Sequence, residues 1–243
     1  MKDLCDLLFE LSSEERVTIM RSLQDERMKL SHLAKKLDMT VTETSRQLQR
    51  LSDSLLVAKD VDGTFSPTLY GELAVSLLLN LDFISENRQY FLDHIVSNIP
   101  YGFINRLGEL SSSTYEMDAV KVITHCTELL KNAEDYIWAQ SYQLLPDHVP
   151  IIEDHIKNGC IFRGIFPENI DLPLPLLPNI RTRNRVELRI LVTEKAAMSG
   201  FEHLTGTPHY SGFFSEDSKF IEWCKEVHQH YWERSKPATI SKV

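Results

Sequence analysis

Apolar and polar positions in the first eighty residues follow a helical period. Val17, Met20 and Leu23 recur at three-residue spacing. The Ser12-x-x-Glu15 pattern ahead of them predicts a capping box and a helix from about Ser13 to Leu23. Ser31 is placed to cap a short helix over His32 to Leu37, and Asp38-Met39 makes a turn. Thr40 and Glu43 form a second box, opening a helix to about Ser52 whose inner face is Thr44, Leu48 and Leu51. Asp62-Gly63 between Leu56–Lys59 and Thr64–Pro67 signals a hairpin. A fourth helix is expected from about Thr68 to Leu81. The order helix, helix, turn, helix, hairpin, helix predicts a winged helix-turn-helix over residues 1–81, with the hairpin as wing.

Beyond it, residues 82–133 read as a helical linker and dimerisation region. Tyr90, Phe91, His94 and Ile95 share one side of its first helix. Val120, Ile123 and Leu130 lie on another, around Ala119 to Leu130. From residue 134 the pattern changes again. Tyr136–Ala139, Cys160–Phe166 and Val186–Val192 read as strands, the last by alternation of apolar and charged residues. Asp147–Lys157 reads as a helix stopped by Asn158-Gly159. Three prolines argue against regular structure over Asp171–Pro178. Ser215 is expected to cap a last helix lined by Phe220, Trp223, Val227 and Tyr231. The fold class expected is therefore an α+β winged helix followed by a helical linker and an α/β C-terminal domain over residues 134–243.

Composition narrows the class of function. Of 243 residues, 42% are apolar and 25% charged, which is ordinary globular usage and not that of a disordered chain. Asp3 and Asp6 interrupt the N-terminus, so no signal peptide is expected. No apolar run is long enough for a membrane span. The four cysteines are scattered and form no Cys-x-x-Cys pair, which fits a reducing cytoplasm and excludes a zinc ribbon. The net charge of −9 argues against wholesale coating of nucleic acid, so a nucleic-acid function needs a local basic face.

Residues 27–59 supply one: seven Lys and Arg stand against three Asp and Glu, although residues 1–75 as a whole are net acidic. On the third helix Thr42, Ser45, Arg46, Gln49 and Arg50 lie away from the inner face. Ser, Arg and Gln side chains hydrogen-bond base edges in the major groove, which makes Arg46 and Gln49 the first choices for base reading. Arg50, Lys36 and Lys59 suit phosphates. The expected partner is double-stranded promoter DNA. A winged helix that mediates only protein contacts is the alternative for these residues.

The stretch Thr44-Ser45-Arg46-Gln47-Leu48-Gln49-Arg50-Leu51, followed by Leu55-Leu56-Val57, resembles the recognition helix and wing entry of arsenic-repressor-like winged helices. The remainder resembles the archaeal regulators named for control of methanogenesis and filamentation. The matching pieces are Glu86–Phe91 with His94 and Pro100, Leu130–Ala133 with Tyr136–Trp138, Lys157–Gly159 with Phe162-Arg163, Val192–Ala196, and Trp223-Cys224 with Tyr231–Arg234. The resemblance implies a one-component regulator and a homodimer, its C-terminal domain sensing an effector, with genes of methanogenesis or C1 metabolism as targets.

Other constellations carry less chemistry. Trp138, Tyr142, Arg163, Tyr210 and Trp223 are the candidate lining of a pocket for a small organic anion, with core packing as the alternative for each. His155-x-Lys157 matches part of the phospholipase-D pattern, but Phe162 stands where its aspartate belongs. Cys224 and His228 form an i, i+4 pair that can hold a metal or simply pack. There is no phosphate-binding glycine loop and no nucleophile elbow. No catalytic residue, metal or cofactor is therefore assigned. A hydrolase or transferase in the C-terminal domain, and a dimeric interaction module, remain the rival readings.

Overall fold

The computed structural model describes residues 2–207 and 209–239, which divide into two units at Leu81/Asp82. The first unit contains α1 (Lys2–Glu10), α2 (Glu14–Asp25), β1 (Met28–Lys29), α3 (Leu30–Lys36), α4 (Val41–Asp53), β2 (Val57–Lys59) and β3 (Thr64–Pro67). Helix α5 (Leu69–Glu86) begins in this unit and runs past the division. The cap of α2 is Ser13 and not Ser12: its hydroxyl oxygen accepts the Arg16 N–H and its own O–H goes to Glu15. Thr40 caps α4, accepting the Glu43 N–H at 3.1 Å. Ser31 does not cap α3, which starts at Leu30, two residues earlier than expected, with Lys29 at the cap position.

Strand β3 lies between β1 and β2 in a three-stranded antiparallel sheet, with Ala58 opposite Ser66 and Met28 opposite Phe65. Gly63 turns the hairpin at φ +82. The core gathers Ile19, Met20, Leu23, Leu33, Leu48, Leu51, Leu56 and Val75. Gly71 lets α5 cross the chain closely: a Cβ there would sit 2.0 Å from the Leu56 carbonyl oxygen. That oxygen already accepts the Thr68 N–H, so it is fixed where it is.

The second unit is built on one mixed sheet, nine-stranded among the described residues. Its strands are β4 (His94–Ile95), β5 (Thr114–Glu116), β6 (Tyr136–Gln140), β7 (Ile161–Pro167), β8 (Ile180–Arg183), β9 (Leu188–Val192), β10 (Ala197–His203), β11 (Gly212–Ser215) and β12 (Lys236–Pro237). They run in the order β12-β8-β7-β6-β9-β10-β11-β5, with β4 added to β10. The pairs β6–β7 and β7–β8 are parallel and the rest antiparallel.

Two short helices, α6 (Arg88–Asp93) and α7 (Tyr101–Ile104), precede the longer helices that cover both faces. On one, α10 (Ser218–Glu233) packs Phe220, Trp223, Val227 and Tyr231 against Leu188, Ile190 and Val192. On the other, α8 (Ala119–Asn132) and α9 (Val149–Lys157) pack Val122, Leu130 and Ile152 against Ile137, Leu191 and Met198. Asp217 caps α10 in place of Ser215, accepting the Lys219 and Phe220 N–H groups. The proline-rich run is not wholly irregular, since Leu174–Asn179 makes 3-10 turns with Pro178 inside.

Residues 82–133, read from sequence as a helical region of their own, belong to this unit. They supply β4 and β5 to its sheet, and Phe83, Tyr90, Ile99, Leu107 and Leu110 to the α10-side core. Among the described residues no helix is long and apolar enough to cross a membrane.

Candidate functional sites

In the first unit, α4 presents a sharply divided surface. Thr44, Gln47, Leu48 and Leu51 are buried, whereas Thr42, Ser45, Arg46 and Gln49 are exposed on one side. Arg46 reaches solvent with only a loose 3.9 Å approach to Glu43. Gln49 donates to Asp53 at 2.7 Å. Lys36, at the end of α3, and Lys59, on the hairpin, are exposed. Lys59 lies 5.6 Å from the centre of the Phe65 ring.

Arg50 differs from these. Its guanidinium grips Glu10 with Nη2 at 2.8 Å and Nε at 3.2 Å, and it covers the Phe9 ring. That hydrogen bond holds the Glu10 carboxyl below its usual range. Beside it, buried Arg16 donates to the Phe9 and Glu10 carbonyls and to the Gln47 side chain. The end of α1 is thereby tied to both α2 and α4. The hairpin tip carries Asp60 and Asp62, and Asp60 takes up Arg27 at 3.4 Å. The local basic bias seen in the sequence is thus partly spent on internal ion pairs.

The five aromatic and arginine candidates of the second unit do not line one pocket. Trp223 is fully buried in the α10-side core and donates its indole N–H to the Phe103 carbonyl. Arg163 stacks between Trp138, at 4.5 Å, and Trp232, at 5.5 Å, and donates to Gln229 at 2.8 Å. Tyr142 has a buried hydroxyl without a protein partner, and burial pushes its pKa up to about 12. Tyr210 alone of the five lines a cavity of about 80 Å³, which opens between α8, α9 and the ends of β6 and β9.

Arg189 lines that same cavity, and nothing in the sequence reading singled it out. It stands between apolar neighbours on β9 and is 6% exposed. With helices on both faces, alternation in β9 separates two covered sides and not inside from outside.

Cys224 and His228 are both fully buried in the core. His228 lies beside Trp138 and Trp232, and its Nε2 faces the Ala139 carbonyl at 3.3 Å. Burial depresses its pKa to about 3 and raises that of the Cys224 thiol well above the ordinary value. Among the described residues no group of three or more His, Cys, Asp or Glu side chains is arranged to hold a metal. His155, half-buried, and Lys157, exposed, lie in the last turn of α9, while Phe162 is in the core.

The chain is thus a two-unit protein of mixed α/β structure. No protein-family profile and no curated protein matches it. Among solved structures, TrmBL2, an archaeal chromatin protein described as showing a novel mode of DNA binding, is 12% identical with a TM-score of 0.44, covering 87% of this chain and 88% of its own. NucT from Helicobacter pylori is 10% identical with a TM-score of 0.42, over 51% of this chain and 98% of its own. Nuc from Salmonella typhimurium, a phospholipase D family member, is 13% identical with a TM-score of 0.39, over 51% and 94%. At these values the likenesses assign no role to any residue here.

Proposed function

We propose that the chain is a DNA-binding transcription regulator and not an enzyme. Its first unit is a winged helix in which α4 enters the major groove, and its second unit senses a small molecule. The observation that carries the reading is the divided surface of α4. Thr42, Ser45, Arg46 and Gln49 are exposed on one side of a helix locked by Leu48 and Leu51, with exposed Lys36 and Lys59 on flanking elements. Direct readout needs this combination of base-edge donors and flanking phosphate-binding cations.

The protein acts in the cytoplasm as a homodimer. Supporting the dimer, Leu69, Leu73, Leu77 and Leu81 recur every fourth residue along α5 and are all exposed, a stripe suited to the same stripe of a second copy. The family resemblance of the sequence extends the proposal to genes of methanogenesis or C1 metabolism.

The test is selection of duplexes from a random-sequence pool, followed by anisotropy titrations. Arg46→Ala is expected to weaken the selected duplex by ~1–3 kcal/mol, the scale of a good base contact. Lys36→Ala should weaken all duplexes alike and flatten the salt slope. Failure of the wild-type protein to enrich any duplex refutes the reading. In sedimentation, Leu77→Glu should shift a dimer to monomer; a wild-type monomer at micromolar concentration removes the dimer.

A further inference from the structure

Among the described residues, Arg189 is held differently from Arg16, the other buried arginine. It occupies the middle of the sheet on β9, on the face covered by α8 and α9, opposite Gly200 of β10. A Cβ at position 200 would lie 2.6 Å from its Nη2 and 2.8 Å from the Ser211 carbonyl oxygen, so the bare glycine is what lets the guanidinium lie across β10. Nη2 donates to that carbonyl, and the Tyr210 ring lies 5.7 Å from the guanidinium carbon. Nε is buried and has no acceptor. Among the described residues no carboxylate comes within ion-pair distance of Arg189. By contrast, buried Arg16 has Glu10, and Arg183, largely covered, has Glu187.

An arginine keeps its charge at any physiological pH, and a buried charge left without a counter-ion is strongly disfavoured. The chain nevertheless places this one on the wall of a cavity. The other walls are mostly apolar, among them Val122, Leu144 and Met198; the polar ones are Gln140, Ser141, His148, and Gln143 and Tyr210, whose amide and phenol are hydrogen-bonded to each other. No wall residue is acidic.

We infer that this cavity is a binding site for a small organic anion, a carboxylate or comparable oxyanion with a short apolar body, whose charged end meets Arg189. Planar guanidinium pairs with an oxyanion through two parallel N–H bonds, and Nε is one edge of such a fork. The volume of about 80 Å³ sets the size. It is well below the roughly 300 Å³ at which drug-sized ligands begin, so the ligand has only a few heavy atoms beyond its anionic group. The apolar end lies against α8, and Gln143 and Tyr210 are placed to reorient toward a ligand oxygen.

That such a ligand is the effector of the proposed regulator rests on the DNA-binding reading; that it binds does not. The experiment therefore measures binding to the full chain without DNA. Sodium acetate, propionate, butyrate and inorganic phosphate are titrated by calorimetry and thermal shift at constant ionic strength, with propanamide and butanamide as neutral isosteres.

Saturable binding of at least one of the four anions, with a rise in melting temperature that the amides do not reproduce, is expected. The carboxylates and phosphate separate an organic acid from an oxyanion alone. Arg189→Gln should lower the affinity at least tenfold. Val122→Phe, which keeps the arginine and fills the apolar end, should exclude butyrate before acetate and remains informative if the arginine variant does not fold. Absence of saturable binding by all four anions overturns the proposal. So does undiminished binding in folded Arg189→Gln, or equal binding of the amides. Loss of duplex binding by the wild-type protein would strike the regulator reading and leave this site standing.

Discussion

His228→Gln gives a stability test whose sign reverses with pH. The imidazole is fully buried, and its pKa falls from 6.5 to about 3 because burial penalises the charged ring. A group whose folded pKa is depressed supports the fold above its unfolded pKa. That support is lost as pH falls, here between 6.5 and about 3, because the unfolded chain takes the proton first. At pH 4.5, two units below the unfolded value, the unfolded chain gains about 2.7 kcal/mol from protonating this one ring. A glutamine takes no proton there and can still donate an amide N–H toward the Ala139 carbonyl.

At pH 7.5 the substitution should cost about 1–2 kcal/mol, from imperfect packing beside Trp138 and Trp232. At pH 4.5 the variant should equal or exceed the wild type, since the difference between them moves by nearly 3 kcal/mol in its favour. Urea unfolding followed by tryptophan fluorescence isolates the relevant part, because all three tryptophans (Trp138, Trp223 and Trp232) lie in the second unit. A stability difference that stays constant within about 0.5 kcal/mol between the two pH values would refute the assignment of a buried neutral imidazole.

Further outcomes are expected elsewhere in the chain. Gly71→Ala should destabilise the first unit by about 2–3 kcal/mol in circular-dichroism melts, because its Cβ would meet the pinned Leu56 carbonyl; an unchanged melt would mean that α5 shifts freely. Arg16→Ala should cost about 3 kcal/mol and expose the α1 amides to hydrogen exchange, since it strands Gln47 and removes the clamp on the Phe9 and Glu10 carbonyls. Asp60→Asn, which frees Arg27 at the hairpin, should tighten duplex binding at low salt and leave it unchanged at high salt; a salt-independent effect would argue against a phosphate-facing hairpin.

What could be read from the sequence depended on whether an element has one wet face. Helix α4 was legible because its period separates Leu48 and Leu51 from Arg46 and Gln49, and because Thr40 and Glu43 mark its start. Strand β10 was not, because six of its seven residues are buried and Ala197-Met198-Ser199-Gly200 shows no alternation. Strand β8 follows the proline-rich run that masked it. Misplaced caps at Ser12 and Ser215 were errors of one or two residues, where neighbouring Ser13 and Asp217 offered equivalent oxygens. At the second-unit site, residue type misled: Trp223 has the chemistry of a pocket wall and the position of a core residue. Arg189 carries no such signal, because its isolation depends on which acids the fold leaves out of reach, and spacing along a chain does not record that.

The pairing of Arg50 with Glu10 has a consequence for how selective the α4 surface is. A cation that already holds an anion does not attract a polyanion as a free lysine does. To take a phosphate, Arg50 must release Glu10, whose carboxylate is then left with Arg16 at 3.3 Å as its remaining ion-pair partner. The exchange sets one anion free for each one captured, so Arg50 adds less to the salt slope than a count of charges implies. Random encounters with duplex gain little from such a contact. Under the proposed DNA-binding function, only a register that seats α4 well enough to supply the other contacts would draw the arginine away, and Glu10 would act as a resident competitor that raises the threshold for engagement.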